Sequence, residues 1–107
     1  MTTLIPDLRS LLYLARKVTE AHQKRVGKRW LYTDQICHMH KEVCEVHDGI
    51  HIEAGPHRVA CELWDVIFSA LAFGHIYGLS DDELLDAMTE TLEKIQAREG
   101  LLAKEAE

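Results

Sequence analysis

Apolar residues recur every three or four positions along most of the chain, and no stretch alternates with the period of two expected of a strand. The pattern predicts four helices separated by glycine and proline. The first runs from about Asp7 to Val26, with Leu8, Leu11, Leu12, Ala15 and Val18 as its apolar stripe and Gly27 as a stop. The second runs from about Thr33, a residue suited to an N-cap, to Asp48, with Ile36, Met39, Val43 and Val46 facing inward and Gly49 ending it. The third, from about His57 to Gly78, is apolar almost all the way round: Leu63, Trp64, Val66, Ile67, Phe68, Ala70, Leu71 and Phe73. Such a helix expects cover on more than one side. The fourth opens on a capping box, Ser80 with Glu83, and directs Leu84, Leu85, Met88, Leu92 and Ile95 inward before Gly100. The expectation is an all-α four-helix bundle over residues 1–100, with 101–107 as a flexible tail.

Length and charge narrow the picture. The chain has 107 residues, 47% of them apolar, and a net charge of −6, which suits one compact domain. An acidic balance argues against a nucleic-acid polymer as partner, because neutralising phosphates needs a basic surface. Cys37, Cys44 and Cys61 are odd in number and contain no C-x-x-C pair, so free thiols in a reducing cytoplasm are expected. Residues 1–6 lack the basic and apolar regions of a signal peptide. The nearly uncharged stretch from Val66 to Gly78 is shorter than the ~20 residues of a membrane span. A soluble protein with no membrane partner is expected.

Two acidic couples carry the chemistry. Glu42 and Glu45 lie three apart on the second helix, and Glu62 and Asp65 three apart on the third. Three residues turn a helix by about 300°, so each couple projects two neighbouring carboxylates from one face. An eight-residue connection, Gly49 to Pro56, lets the two helices pack antiparallel and bring all four acids together. Like charges at that range repel, and hard oxygen ligands suit Mg²⁺, with Mn²⁺ as the other candidate. Ordinary surface acids, with Glu62 paired to Arg58 one turn earlier, are the plainer reading of the same residues.

The pattern Glu-x-x-Glu, sixteen residues, Glu-x-x-Asp resembles the all-α nucleoside triphosphate pyrophosphohydrolases, the MazG-like superfamily with its dUTPase and dCTPase relatives. Glu62-Leu-Trp-Asp65-Val-Ile, running into an apolar helix, is similar too, and the resemblance covers roughly Leu8 to Arg98. It implies a Mg²⁺-dependent enzyme that hydrolyses a nucleoside triphosphate to monophosphate and pyrophosphate, with Glu42, Glu45, Glu62 and Asp65 as metal ligands. A housecleaning role on non-canonical nucleotides would fit that chemistry, with Glu42 or Glu45 taking the proton of the attacking water. The family's first Glu is Lys41 here, and Cys44 stands where a Gly is usual. These departures motivate the alternative of a non-catalytic helical oligomer that binds nucleotide or another protein.

Further candidates surround this core. Lys24, Arg25, Lys28 and Arg29 could receive triphosphate oxygens, or simply favour the end of the first helix. Trp30, Tyr32 and His22 could stack on a base or cap the core. Lys94 and Arg98 resemble basic residues that family members place on the fourth helix, although Glu90 explains Lys94 equally well as an i,i+4 pair. His38 shares a face with Glu42 and Glu45. Cys37, His40, Cys44 and His47 share another face, but they spread over ~15 Å of one helix and read as a packing seam rather than a zinc site. The third helix has more apolar surface than a single small chain covers, so a homodimer or homotetramer is expected.

Overall fold

The computed structural model describes residues 7–26 and 31–101. They form four helices and, among the described residues, no strand: α1 (Leu8–Val26), α2 (Tyr32–His51), α3 (Pro56–Tyr77) and α4 (Asp81–Arg98). Lys28, Arg29, Trp30 and Gly27 lie outside the described residues, as does the expected tail beyond Leu101.

The helix ends differ from expectation by a few residues, for local reasons. α2 starts at Tyr32, with Leu31 rather than Thr33 at the N-cap, and Asp34 in its first turn reaches back so that its Oδ2 accepts from the Leu31 N–H at 2.9 Å. It also runs through Gly49 to His51. There the Ala54 N–H reaches the Gly49 carbonyl at 2.9 Å and the Glu53 N–H the Ile50 carbonyl at 3.1 Å, a Schellman motif with Glu53 at φ 55°. α3 ends in the same motif, with Gly78 at φ 102° in the left-handed position. Pro56 opens α3 at its first position, where the missing N–H is harmless. The α2–α3 connection is therefore Ile52 to Gly55, shorter than the eight residues expected.

That short connection makes α2 and α3 an antiparallel pair. Tyr32, at the start of α2, meets Phe73 and Tyr77 edge-on near the end of α3, with ring centres 6.3 and 5.4 Å apart. One turn along, Gln35 Nε2 donates to the Ser69 carbonyl and to Ser69 Oγ at 3.0 and 2.8 Å. Further on, Glu42 approaches Glu62 and Asp65. α1 packs on α3 through Leu12 and Ala15, which are buried. α1 also carries Thr19, whose buried hydroxyl donates to the Ala15 carbonyl at 2.7 Å.

Several residues expected inside are outside. On α2 the inward face centres on Gln35, 6% exposed, and includes Met39, Glu42 and Val46, while Ile36 and Val43 face solvent. Val18 of α1 is exposed on the wall of a cleft. α3 is covered by α1 on one side and α2 on another, but Leu63, Trp64 and Ile67 remain open in the single chain. α4 has the capping box that its sequence promises: the Glu83 N–H donates to Ser80 Oγ at 3.0 Å and the Ser80 N–H to Glu83 Oε1 at 2.9 Å. Among the described residues, the side-chain contacts that attach it lie in its first turn. Arg16 Nη1 meets Asp81 at 2.7 Å, Arg9 Nη2 meets Asp82 at 3.0 Å, and Leu84 sits against Gly74. Its distal stripe of Met88, Leu92 and Ile95 is exposed, and the molecule extends 57 Å along its long axis.

α3 also has the length and mean hydropathy, 1.5 over its best window, that composition alone would accept for a membrane span. The sequence expectation measured only the stretch after Val66, whereas this helix includes Glu62 and Asp65. Carboxylates at such a depth in lipid are costly.

Candidate functional site

The antiparallel register places α3's acidic couple opposite the middle of α2. Carboxylate oxygens of Glu42, Glu62 and Asp65 all lie within 4.8 Å of one another. Glu42 and Glu62 are largely buried, with side chains 13% and 12% exposed, and Asp65 is at the surface. Glu45, the fourth expected ligand, is not part of this triad, but it lies close enough to Glu42 for its charge to act on it.

Each acid has a different neighbour. Glu42 Oε1 pairs with His38 Nε2 at 2.9 Å, so the face shared by His38 and Glu42 is a direct contact. Glu62 Oε1 accepts from Arg58 Nε at 3.3 Å, the one-turn pair that the plainer reading of the sequence anticipated. Glu62 thus serves both an ion pair and the acidic triad. Burial raises the Glu42 pKa above its ordinary value of 4.5; the Glu45 and Asp65 charges add to this, and His38 opposes it.

The telling atom is Glu42 Oε2. It is buried and, among the described residues, has no hydrogen-bond partner. An ionised carboxylate oxygen left in that state costs free energy, and a cation or a proton relieves it. A divalent ion held by Glu42, Glu62 and Asp65 fits the donor set: hard oxygens, from two helices, with Asp65 open to solvent. Glu45, one turn further along α2, lies outside the triad.

Beside the acids lies a cavity of about 320 Å³, at the small end of ligand-sized pockets. Glu42 and Asp65 form one part of its wall, with His38, His22 and Arg25 bordering it and Phe68, Ala72 and Val18 supplying apolar surface. Arg25 Nη2 donates to His22 Nδ1 at 3.1 Å, which makes Nδ1 the acceptor and leaves the proton on Nε2. Gln35 and Ser69 close the wall with their mutual hydrogen bonds.

Of the basic candidates, only Arg25 borders the cavity among the described residues. Lys24 is exposed and absent from its lining. Lys94 and Arg98 are exposed on α4, which contributes nothing to the lining, and Arg98 Nε instead meets Glu99 at 3.4 Å. Cys37, His40, Cys44 and His47 do not gather donor atoms into a metal-sized group. Gln35 and Thr19 are wall residues that the sequence reading passed over. Gln35 lies seven positions before Glu42, on the same face, and a polar residue there was a legible signal.

The fold and site together define an all-helical protein with a carboxylate cluster at the edge of a cleft. Comparison with protein families, curated proteins and solved structures finds no match to this chain.

Proposed function

We propose that this chain is a Mg²⁺-dependent nucleoside triphosphate pyrophosphohydrolase that converts a nucleoside triphosphate and water to the monophosphate and pyrophosphate. The observation that carries this reading is Glu42 Oε2, buried without a partner among three carboxylates at the edge of a ligand-sized cleft. The resemblance to the MazG-like pattern supports it through the same acids.

Glu42, Glu62 and Asp65, with Glu45 beside them, would hold Mg²⁺ or Mn²⁺. Bound there, the ion supplies Lewis-acid charge for phosphate oxygens and a more acidic water. The protein supplies the rest. His38 fixes the Glu42 carboxylate through its 2.9 Å contact, which selects the oxygen left for other partners. Arg25, steadied by His22, offers positive charge to a phosphate oxygen at the cleft. Phe68, Ala72 and Val18 give the nucleoside an apolar wall that excludes water. The proton of the attacking water would go to Glu42 or Glu45, and the burial that raises the Glu42 pKa makes it the stronger base.

The working form is a homodimer or homotetramer in a reducing cytoplasm, with neither membrane nor nucleic-acid polymer as partner. Support comes from the open Leu63, Trp64 and Ile67 on α3, an apolar stripe that an identical copy would cover, and from three free cysteines. Sedimentation at micromolar concentration should give a mass that is a multiple of 12.2 kDa.

A panel of canonical and modified triphosphates, assayed for pyrophosphate with Mg²⁺ or Mn²⁺, tests the activity. Metal-dependent release that stops on chelation and returns with added ion is the expected result. Exposed Lys41, in place of a carboxylate, favours a second reading: a nucleotide-binding oligomer without turnover. Metal and nucleotide binding with no product from any member of the panel would select it.

A further inference from the structure

We infer that His57 and Cys61, on the first turns of α3, form half of a zinc-class metal site that a second copy of the chain closes. The two side chains are one turn apart and both are exposed, and Cys61 Sγ lies 3.6 Å from His57 Nε2. Tetrahedral zinc, with Zn–S of about 2.3 Å and Zn–N of about 2.0–2.1 Å, spaces a sulfur and a nitrogen ligand by about 3.6 Å. The pair therefore holds the bite of two zinc ligands without rearrangement. Sulfur and imidazole prefer a softer cation than the oxygens of Glu42, Glu62 and Asp65, so the two sites select different metals.

A closed tetrahedral site needs four protein ligands, and the described residues of one chain offer no third donor here. An isologous two-fold contact repeats every residue, so one such contact beside Cys61 would supply the missing His and Cys. The surroundings suit that contact. Trp64 lies on the same stripe, seven positions after His57, and is 57% exposed. Ala60, exposed next to Cys61, leaves room for a second backbone to approach. A copy docked there covers the indole and completes the metal shell together. This inference does not depend on the proposed hydrolase activity.

The test is titration of the full chain with Co²⁺ as a spectroscopic stand-in for zinc. It uses a non-thiol reductant and a Cys37→Ser/Cys44→Ser background that leaves Cys61 as the sole thiol. The expected result is a thiolate-to-cobalt charge-transfer absorption with tetrahedral ligand-field bands, saturating at one ion per two chains and displaced by Zn²⁺. Cys61→Ser should abolish the charge-transfer band, and His57→Ala should abolish the tetrahedral bands. Cobalt in the carboxylate cluster gives neither signal. Absence of the bands, saturation at one ion per chain, or a spectrum unchanged by either substitution would overturn the proposal.

Discussion

The middle of the α2–α3 pair and the distal half of α4 are built from comparable sequence signals and end in opposite situations. α4 has the clearer local grammar: a complete capping box, acids in its first turn, and an apolar stripe of regular spacing. Yet beyond Leu84 and Leu85 that stripe faces solvent, and only the first turn is tied down, by Arg9, Arg16 and Gly74. α2 has no side-chain hydrogen bond from its N-cap residue, and two residues of its expected stripe point outward, but Tyr32 and Gln35 bind it to α3. Caps and periodicity specify that a helix forms. They do not specify what it packs against, because that depends on connection length and on groups that find partners across the interface. The four-residue turn after α2 leaves little alternative to an antiparallel hairpin.

The largest test of this contrast is at the cluster. Glu62→Gln and Asp65→Asn each remove one oxygen charge and leave helix propensity and shape nearly unchanged. Pyrophosphate release should fall by at least ~10²-fold in each, by analogy with the loss of a group that stabilises transition-state charge. Circular dichroism should stay near that of the parent. Near-native turnover in both would remove these acids from the chemistry. The equivalent changes on α4, Lys94→Gln and Arg98→Gln, should leave turnover in a single chain's cleft within about twofold, since neither residue borders it.

The same comparison can be made in the apolar residues. Leu12→Ala empties a buried position on α1 and should cost about 3 kcal/mol in denaturant unfolding. Leu92→Ala, at a position 49% exposed, should cost no more than about 0.5 kcal/mol at low concentration. A larger loss that grows with protein concentration would show that α4 finds its cover on another copy.

How much of this was readable from the chain follows the same division. The four helices, the Ser80 cap and the meeting of Glu42 with Glu62 and Asp65 follow from spacing alone, since they depend on residues within one or two turns and on one short connection. The inward face of α2 did not. Hydropathy points to Ile36 and Val43, but Gln35 is buried instead because Ser69 satisfies its amide from α3. A polar residue turns inward when its partner is on another helix, and single-helix periodicity has no access to that partner. Among the basic candidates, Lys94 and Arg98 stand away from the single chain's cavity because they belong to the helix whose packing the sequence left open.

Glu42 supplies a pH test of the cluster without metal. Its folded pKa is raised while the unfolded value is near 4.5, so between those values the folded state alone carries the proton. The stability of the metal-free protein should therefore rise as pH falls from neutral through the raised value, and level off toward 4.5. The lowered carboxylates, Asp7 and Glu83, act in the opposite sense but only below their ordinary values of 3.8 and 4.5. Glu42→Gln keeps an acceptor for His38 and removes the buried charge. It should raise stability at neutral pH and flatten the pH dependence above 4.5. Added Mg²⁺ should stabilise the parent and not the variant.

A modest effect is expected at the turn that makes the α2–α3 pair antiparallel. Glu53 occupies the left-handed position of a Schellman motif at φ 55°, where α3 uses Gly78 for the same task. A residue with a Cβ is held there at a cost of about 1–2 kcal/mol relative to its preferred backbone, against roughly 0.5–1 kcal/mol of extra chain entropy that glycine loses on folding. Glu53→Gly should therefore stabilise the protein by about 0.5–1 kcal/mol, read as a raised denaturant midpoint with an unchanged slope. Glu53 is exposed, so loss of its side chain removes no packing. Because the turn only directs the two helices toward each other, metal affinity at Glu42, Glu62 and Asp65 should stay as it was. A variant with altered affinity would mean that the strained turn sets the spacing of the carboxylates, and that the cluster is tuned from the connection rather than from the helix faces.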